Sequence, residues 1–160
     1  MFKIGDYIAH PMHGAGVIES IVTKKINGAQ RDYYVLKLPV GDMVVMVPVV
    51  GCEDIGVRSI ISRSEAENVF NAFSALEISM TQNWNKRYRE NMDKIKSGNL
   101  LDVAAVVKGL MCRDSERGLS TGERKMLHSA KQILISELVI AADMDYDGVE
   151  KRLCAALEEG

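Results

Sequence analysis

Cysteine is scarce in this 160-residue chain, and what there is does not pair. Cys52, Cys112 and Cys154 are far apart, odd in number, and form no Cys-x-x-Cys. This argues against a disulfide framework and against a zinc site, so the three read as small apolar or neutral side chains. Long hydrophobic runs are also missing, and with them any membrane-spanning segment. The opening residues, Met1-Phe2-Lys3-Ile4-Gly5-Asp6, lack the basic start and apolar stretch of a signal peptide, so a cytoplasmic location is expected. Catalytic motifs are lacking too: there is no Gly-x-Ser-x-Gly elbow and no glycine-rich phosphate loop ending in Lys-Ser or Lys-Thr. The histidines are His10, His13 and His128. His10-x-x-His13 offers two metal ligands in a turn-like Pro11-Met12-His13-Gly14 stretch, but no third stands nearby. His128 falls in a helical pattern and reads as a surface or boundary residue. Neither a metal nor another cofactor is expected, and the chain does not read as an enzyme. An enzyme or metal protein built on His10, His13 or Cys52 is a rival that elemental analysis for bound zinc would test.

What is present is enough to fold. Hydrophobic residues make up 47% and charged residues 26%, a balance that buries a core and argues against disorder. The net charge of −2 hides an asymmetry. From Asn83 to Lys131 there are 11 basic against 6 acidic residues, a net +5, whereas from Glu137 to Gly160 there are 2 against 7, a net −5. A basic segment followed by an acidic one hints at an anionic partner, although charged helices are commonly just solvated.

The first 50 or so residues read as β-structure. Val17, Ile18, Ile21 and Val22 lie in a run ending at Asn27-Gly28, a strong hairpin signal because both residues tolerate positive φ. The partner run is Asp32 to Leu38, and Val40-Gly41-Asp42 turns the chain into Met43 to Pro48. Short strands joined by tight turns suggest a small barrel or strongly bent sheet, with Pro48 ending the last strand or marking it as an edge. From about Ser64 the period becomes helical. Ser64 with Glu67 has the spacing of a capping box, ahead of Val69, Phe70, Phe73 and Leu76. Asn83 can cap a second helix running through Ser97 and stopped by Gly98. Asn99 can cap a third, ended by Gly118, and Ser120 with Glu123 is another capping box. The fourth helix carries Met126, Leu127, Ala130, Ile133, Leu134, Leu138 and Ala141 on one face, and a last helix covers about Tyr146 to Leu157. The expected fold class is α+β: a β-rich module over 1–60 and an all-helical module over 64–160, joined near Ile60 to Ser64.

The single tryptophan carries the functional signal. Trp84 stands at the first turn of the second predicted helix, with Tyr88 four residues on and therefore on the same face. Lys86, Arg87 and Arg89 surround the pair. Cations neutralise phosphates while a flat ring stacks on a base or wedges between base steps, so the group suits a nucleic acid. The alternative is that Trp84 fastens its helix to a neighbour while the basic residues face water.

These residues resemble the CarD/CdnL family of bacterial RNA polymerase-binding transcription regulators, over the chain from end to end. The markers are Gly5-Asp6, Pro11, His13-Gly14 and Gly16 with the Asn27-Gly28 hairpin; then Asn83-Trp84 with Arg87-Tyr88; then Arg113-Asp114, Glu116-Arg117-Gly118-Leu119-Ser120 and Gly122-Glu123. The first alone is shared with transcription-repair coupling factors; all three in this order are specific. The resemblance implies a Tudor-like N-terminal module docking on the RNA polymerase β subunit. It also implies a helical DNA-binding module that reaches promoter DNA at the upstream edge of the melted bubble. Trp84 would wedge into the minor groove, and Lys86, Arg87, Arg89, Arg124 and Lys125 would contact the backbone beside Tyr88. Lys24, Ile26 and Met46 occupy the places of the polymerase-facing surface, with the Val44-Val45-Met46 edge able to pair with a polymerase strand. Some relatives carry arginine at the places of Lys24 and Met46; lysine keeps the charge without the planar fork, and methionine keeps neither. Burial in the barrel is the competing reading of Met46. The expectation is a monomer, brought to the nucleoid by polymerase. A polymerase-docking adaptor that never touches DNA is the alternative function.

Overall fold

Asn27 and Gly28 both take positive φ, 52° and 83°, and so make the tight turn their residue types favour. They join strand β2 (Gly14–Ile26) to β3 (Ala29–Lys37), paired from Ile26 opposite Ala29 back to Val17 opposite Lys37. In this computed structural model, which describes residues 1–39, 41–78 and 80–159, the chain forms an antiparallel sheet and then five helices. The α+β class is as expected. Strands β1 (Tyr7–His10), β4 (Val44–Pro48) and β5 (Arg58–Ser59) complete the sheet in the order β4-β3-β2-β1-β5. Pro48 is the last residue of an edge strand, where its missing N–H costs the ladder nothing. Gly41 and Asp42 turn with positive φ, 73° and 52°; Val40, assigned to the same turn, lies outside the described residues. A register shift between Ile18 and Ser20 bends the sheet. Ile8, Ile18, Tyr34, Leu36, Val47 and Val57 bury one small core.

Helix α1 is Arg63–Ala75, α2 Trp84–Lys96, α3 Leu100–Arg117, α4 Thr121–Ala142 and α5 Tyr146–Glu159. Asn83 and Asn99 cap α2 and α3, and Gly118 ends α3 with φ 76°, as the sequence suggests. The first helix begins earlier than expected. Its capping box is Ser62 with Glu65, not Ser64 with Glu67. Glu67 instead takes both Nη atoms of Arg152 on α5, at 2.9 and 2.8 Å. The helical core gathers Phe70, Phe73, Val107, Leu110, Leu134 and Leu138. Among the described residues no helix is long and apolar enough to cross a membrane.

The sheet and the helices meet along α4. Ser136 accepts a hydrogen bond from the Ala15 backbone N–H at 2.9 Å, and Gly14 (φ 98°) is so close that any Cβ there would strike the Ser136 hydroxyl. One position on, Glu137 accepts from both Nη atoms of Arg58 at 2.7 and 2.9 Å and from the Ile61 N–H at 2.9 Å. The sheet and α4 thus each supply groups that the other would leave unpaired, and burial of an unpaired charge is costly.

Candidate functional site

The N-terminus of α2 is set by Asn83, whose Oδ1 accepts from the Lys86 N–H at 3.0 Å. Trp84 is therefore the first helical residue, and Tyr88 lies one turn on, its ring stacked on the indole at 5.0 Å between centroids and 19° between planes. The indole Nε1–H donates to Ser120 Oγ at 3.0 Å. That hydroxyl is the N-cap of α4 and also accepts from the Glu123 N–H at 3.2 Å. Gly122 lies under the ring, where a Cβ would come within 3.3 Å of Trp84 Cζ2. Despite these contacts Trp84 is 41% exposed. The fastening role and the exposed-ring role considered for it coexist: one face and one edge are held, and the rest meets solvent.

Arg87 corrects the sequence reading. It was expected to face phosphate, yet it is 2% exposed and points inward. Its Nε and Nη2 donate to the Glu123 carboxylate at 2.9 and 3.1 Å, and Nη1 donates to the Thr81 and Gln82 carbonyls at 3.1 and 2.9 Å. Arg87 lies three positions after Trp84, close enough to be its neighbour on the helix, but its side chain turns inward to the Glu123 carboxylate that α4 brings to it. The second capping box is only half formed for the same reason: Ser120 caps the Glu123 N–H, but the Glu123 carboxylate turns to Arg87. Hydrogen bonds from Arg87 hold that carboxyl below the usual carboxylate range against the cost of burial. The Arg87 and Arg113 charges and the nearby indole N–H act in the same direction. Arg113 Nε, 3.9 Å from Glu123, is buried without a hydrogen-bond partner among the described residues. The second and third sequence markers, far apart in the chain, are thus one cluster in which α2, α3 and α4 converge.

Lys86 and Arg89 on α2, and Arg124 and Lys125 at the start of α4, are exposed and form no ion pair among the described residues. Arg124 donates Nε–H to the Leu119 carbonyl at 3.2 Å, which leaves the rest of its fork free of side-chain partners. Lys86, Arg89, Arg124 and Lys125 are thus solvent-facing cations on α2 and the first turn of α4, the two helix ends that meet at Trp84.

The register of the sheet brings the other candidate residues together. Val35 pairs with Met46 and Ser20, Lys37 with Val44 and Val17, Arg31 with Lys24, and Ala29 with Ile26. Directly opposed residues share a face, so Lys24, Ile26, Val44 and Met46 all look out from the side of the sheet away from its small core. Ile26 is 47%, Val44 55% and Met46 36% exposed, so Met46 is not plainly buried. Among the described residues β4 has β3 as its only strand neighbour.

Residues 68–154 match the family model of the CarD C-terminal domain, and residues 2–61 match that of the CarD-like/TRCF RID domain. The chain belongs to the CarD family. It is 37% identical over 140 residues to "Putative transcription factor YdeB" of Bacillus subtilis (strain 168), covering 88% of this chain and 92% of that protein. The CarD family is one of transcription factors, not an enzyme class.

Several positioning residues of this CarD-family chain escaped sequence reasoning. Arg58, Ser136 and Glu137 hold the sheet to α4. Lys108, 6% exposed, donates from Nζ to the Ser74 and Leu76 carbonyls at 3.0 and 2.8 Å and so closes the C-terminal end of α1. The available signal was a charge inside an apolar run: Lys108 follows Val106-Val107, and Glu137 stands between Ile135-Ser136 and Leu138-Val139. Such charges are rarely buried unless paired. The His10 and His13 rings are 4.5 Å apart, and His10 Nδ1 accepts from the Met12 N–H at 3.0 Å. Burial and the neighbouring His13 push the His10 imidazole below its ordinary range. Among the described residues no three or more His, Cys, Asp or Glu side chains gather as a metal set.

Proposed function

We propose that this protein regulates transcription by binding RNA polymerase and promoter DNA together. The module of residues 1–60 docks on the polymerase β subunit through the face bearing Lys24, Ile26, Val44 and Met46. The module of residues 64–160 holds the promoter open at the upstream edge of the bubble, with Trp84 wedged in the minor groove and Lys86, Arg89, Arg124 and Lys125 on the backbone. The observation that carries this reading is an indole fixed by its neighbours yet 41% exposed, at the meeting of two helix ends whose exposed Lys86, Arg89, Arg124 and Lys125 have no ion-pair partner among the described residues.

The energies are of the right size. Unstacking a kinked step costs about a few kcal/mol, and ring stacking returns roughly 1–3 kcal/mol per base. A net gain of only about 1.4 kcal/mol in the open state shifts its equilibrium about tenfold. Little intrinsic sequence preference is needed, because polymerase chooses the site. The test is the lifetime of the open complex at a ribosomal RNA promoter with the cognate polymerase. Wild type is expected to lengthen it and Trp84→Ala not to. Equal lifetimes with retained polymerase binding would instead make the protein an adaptor without DNA contact, and loss of polymerase binding by the wild type would overturn the reading altogether.

A further inference from the structure

The indole of Trp84 has one hydrogen-bonding group, and that group is already used inside the protein, on Ser120 Oγ. The ring is stacked on Tyr88 and meets Gly122, where a Cβ would approach Trp84 Cζ2 to 3.3 Å, a tight contact that the ring would have to shift to relieve. Ser120 and Gly122 belong to the first turn of α4, whereas Trp84 opens α2, so the ring's orientation is dictated from another helix. The buried Arg87–Glu123 pair ties these same two helix ends together.

We infer that Ser120 and Gly122 are positioning residues that pre-set the Trp84 ring for insertion between bases, so that the wedge is formed before DNA arrives. The inference rests on the function proposed above and deepens it. With its N–H satisfied, the ring meets DNA as an apolar plate and donates nothing to a base edge. Discrimination between base steps then follows how easily each unstacks, pyrimidine–purine steps most readily, and not a hydrogen-bond code. A ring held in one orientation loses less freedom on insertion than a swinging one.

Two substitutions separate positioning from folding. Ser120→Gly removes the acceptor while keeping a residue that caps helices nearly as well. Gly122→Ala places a methyl under the ring while raising helix propensity. Trp84 is the sole tryptophan, so fluorescence excited at the red edge, where the five tyrosines do not absorb, reports on this ring alone. Both variants are expected to melt close to wild type. Their indole emission should shift or its anisotropy fall, and the open-complex lifetime should drop at least threefold towards that of Trp84→Ala. Ser120→Thr, which restores a hydroxyl, should recover both signals. Wild-type fluorescence in both variants overturns the inference. So does altered fluorescence with an unchanged lifetime, provided Trp84→Ala shortens it. If Trp84→Ala leaves the lifetime unchanged, the proposed function fails instead, and the fluorescence of the free protein decides the positioning roles by itself.

Discussion

Arg58 and Glu137, 79 positions apart in the chain, form a bidentate pair at 2.7 and 2.9 Å that links the last strand of the sheet to the C-terminal half of α4. Glu137 is 2% exposed and the Arg58 side chain 35%. The same guanidinium reaches the Gly98 carbonyl at 3.3 Å, so one side chain ties β5 to both α4 and the α2–α3 turn.

Arg58→Ala leaves the Glu137 carboxylate buried with only the Ile61 N–H to satisfy it. The expected loss is about 3 kcal/mol, the low end for breaking a buried pair because Arg58 itself is partly solvated. Urea unfolding checks the size. Unfolding monitored separately by the Trp84 signal and by far-ultraviolet circular dichroism should lose coincidence if the sheet and helices have been uncoupled.

Glu123→Gln strands the Arg87 charge, and about 3–5 kcal/mol of stability should go with it at neutral pH. The pH dependence has a fixed sign. The folded Glu123 carboxyl is held below its unfolded value, so its contribution is whole above the ordinary carboxylate range. It is lost as pH falls through that range towards the folded value. The stability difference between wild type and Glu123→Gln should therefore shrink on acidification; a difference that stays constant or grows down to acid pH would refute the assignment.

Alanine at Lys86, Arg89, Arg124 or Lys125 should weaken binding to a forked promoter fragment and lower the slope of log K against log salt by about 1 wherever a phosphate contact is lost. Arg87→Ala should behave differently. Its guanidinium is consumed by Glu123 and two carbonyls, so the expected result is a lower melting temperature, not a changed salt slope for the fraction that folds. Fluorescence titration at several salt concentrations distinguishes the two behaviours.

Met46→Asp puts a charge on the exposed face of β4 without disturbing the core. Thermal melting should change little, while affinity for the polymerase β subunit should fall at least tenfold, or about 1.4 kcal/mol. Unchanged affinity would remove Met46, and the sheet face with it, from the docking surface.

How much of this could be read from sequence depended on how local the deciding chemistry was. Asn27-Gly28, Asn83, Asn99 and Gly118 act on backbone within a few residues of themselves, and each is found in its expected role. The start of α1 was harder, because Ser62-x-x-Glu65 and Ser64-x-x-Glu67 spell the same pattern two residues apart. What separates them is Arg152, 85 positions beyond Glu67. Arg87 failed in the same way. Beside Trp84 it looks like Lys86 and Arg89, and only the arrival of Glu123 from 36 positions away draws it inside. The ring itself was legible as functional because an aromatic among cations is unusual on any helix. Its anchoring by Ser120 was not, since it depends on where α4 starts in space.

Helix α4 runs without interruption from Thr121 to Ala142, with the tryptophan contact at its N-cap and the sheet contact at Ser136. Sixteen residues of α-helix span roughly 24 Å, which is about seven base-pair rises of DNA. Under the function proposed above, with the sheet docked on polymerase and the ring on the duplex, α4 would be the caliper of fixed opening between them. Deleting a single residue between Gly122 and Ile135 would shorten it by about 1.5 Å and swing the tip by about 100°, enough to carry the ring off the groove. Single substitutions along the solvent side of this stretch should therefore be tolerated, whereas changes in its length should not.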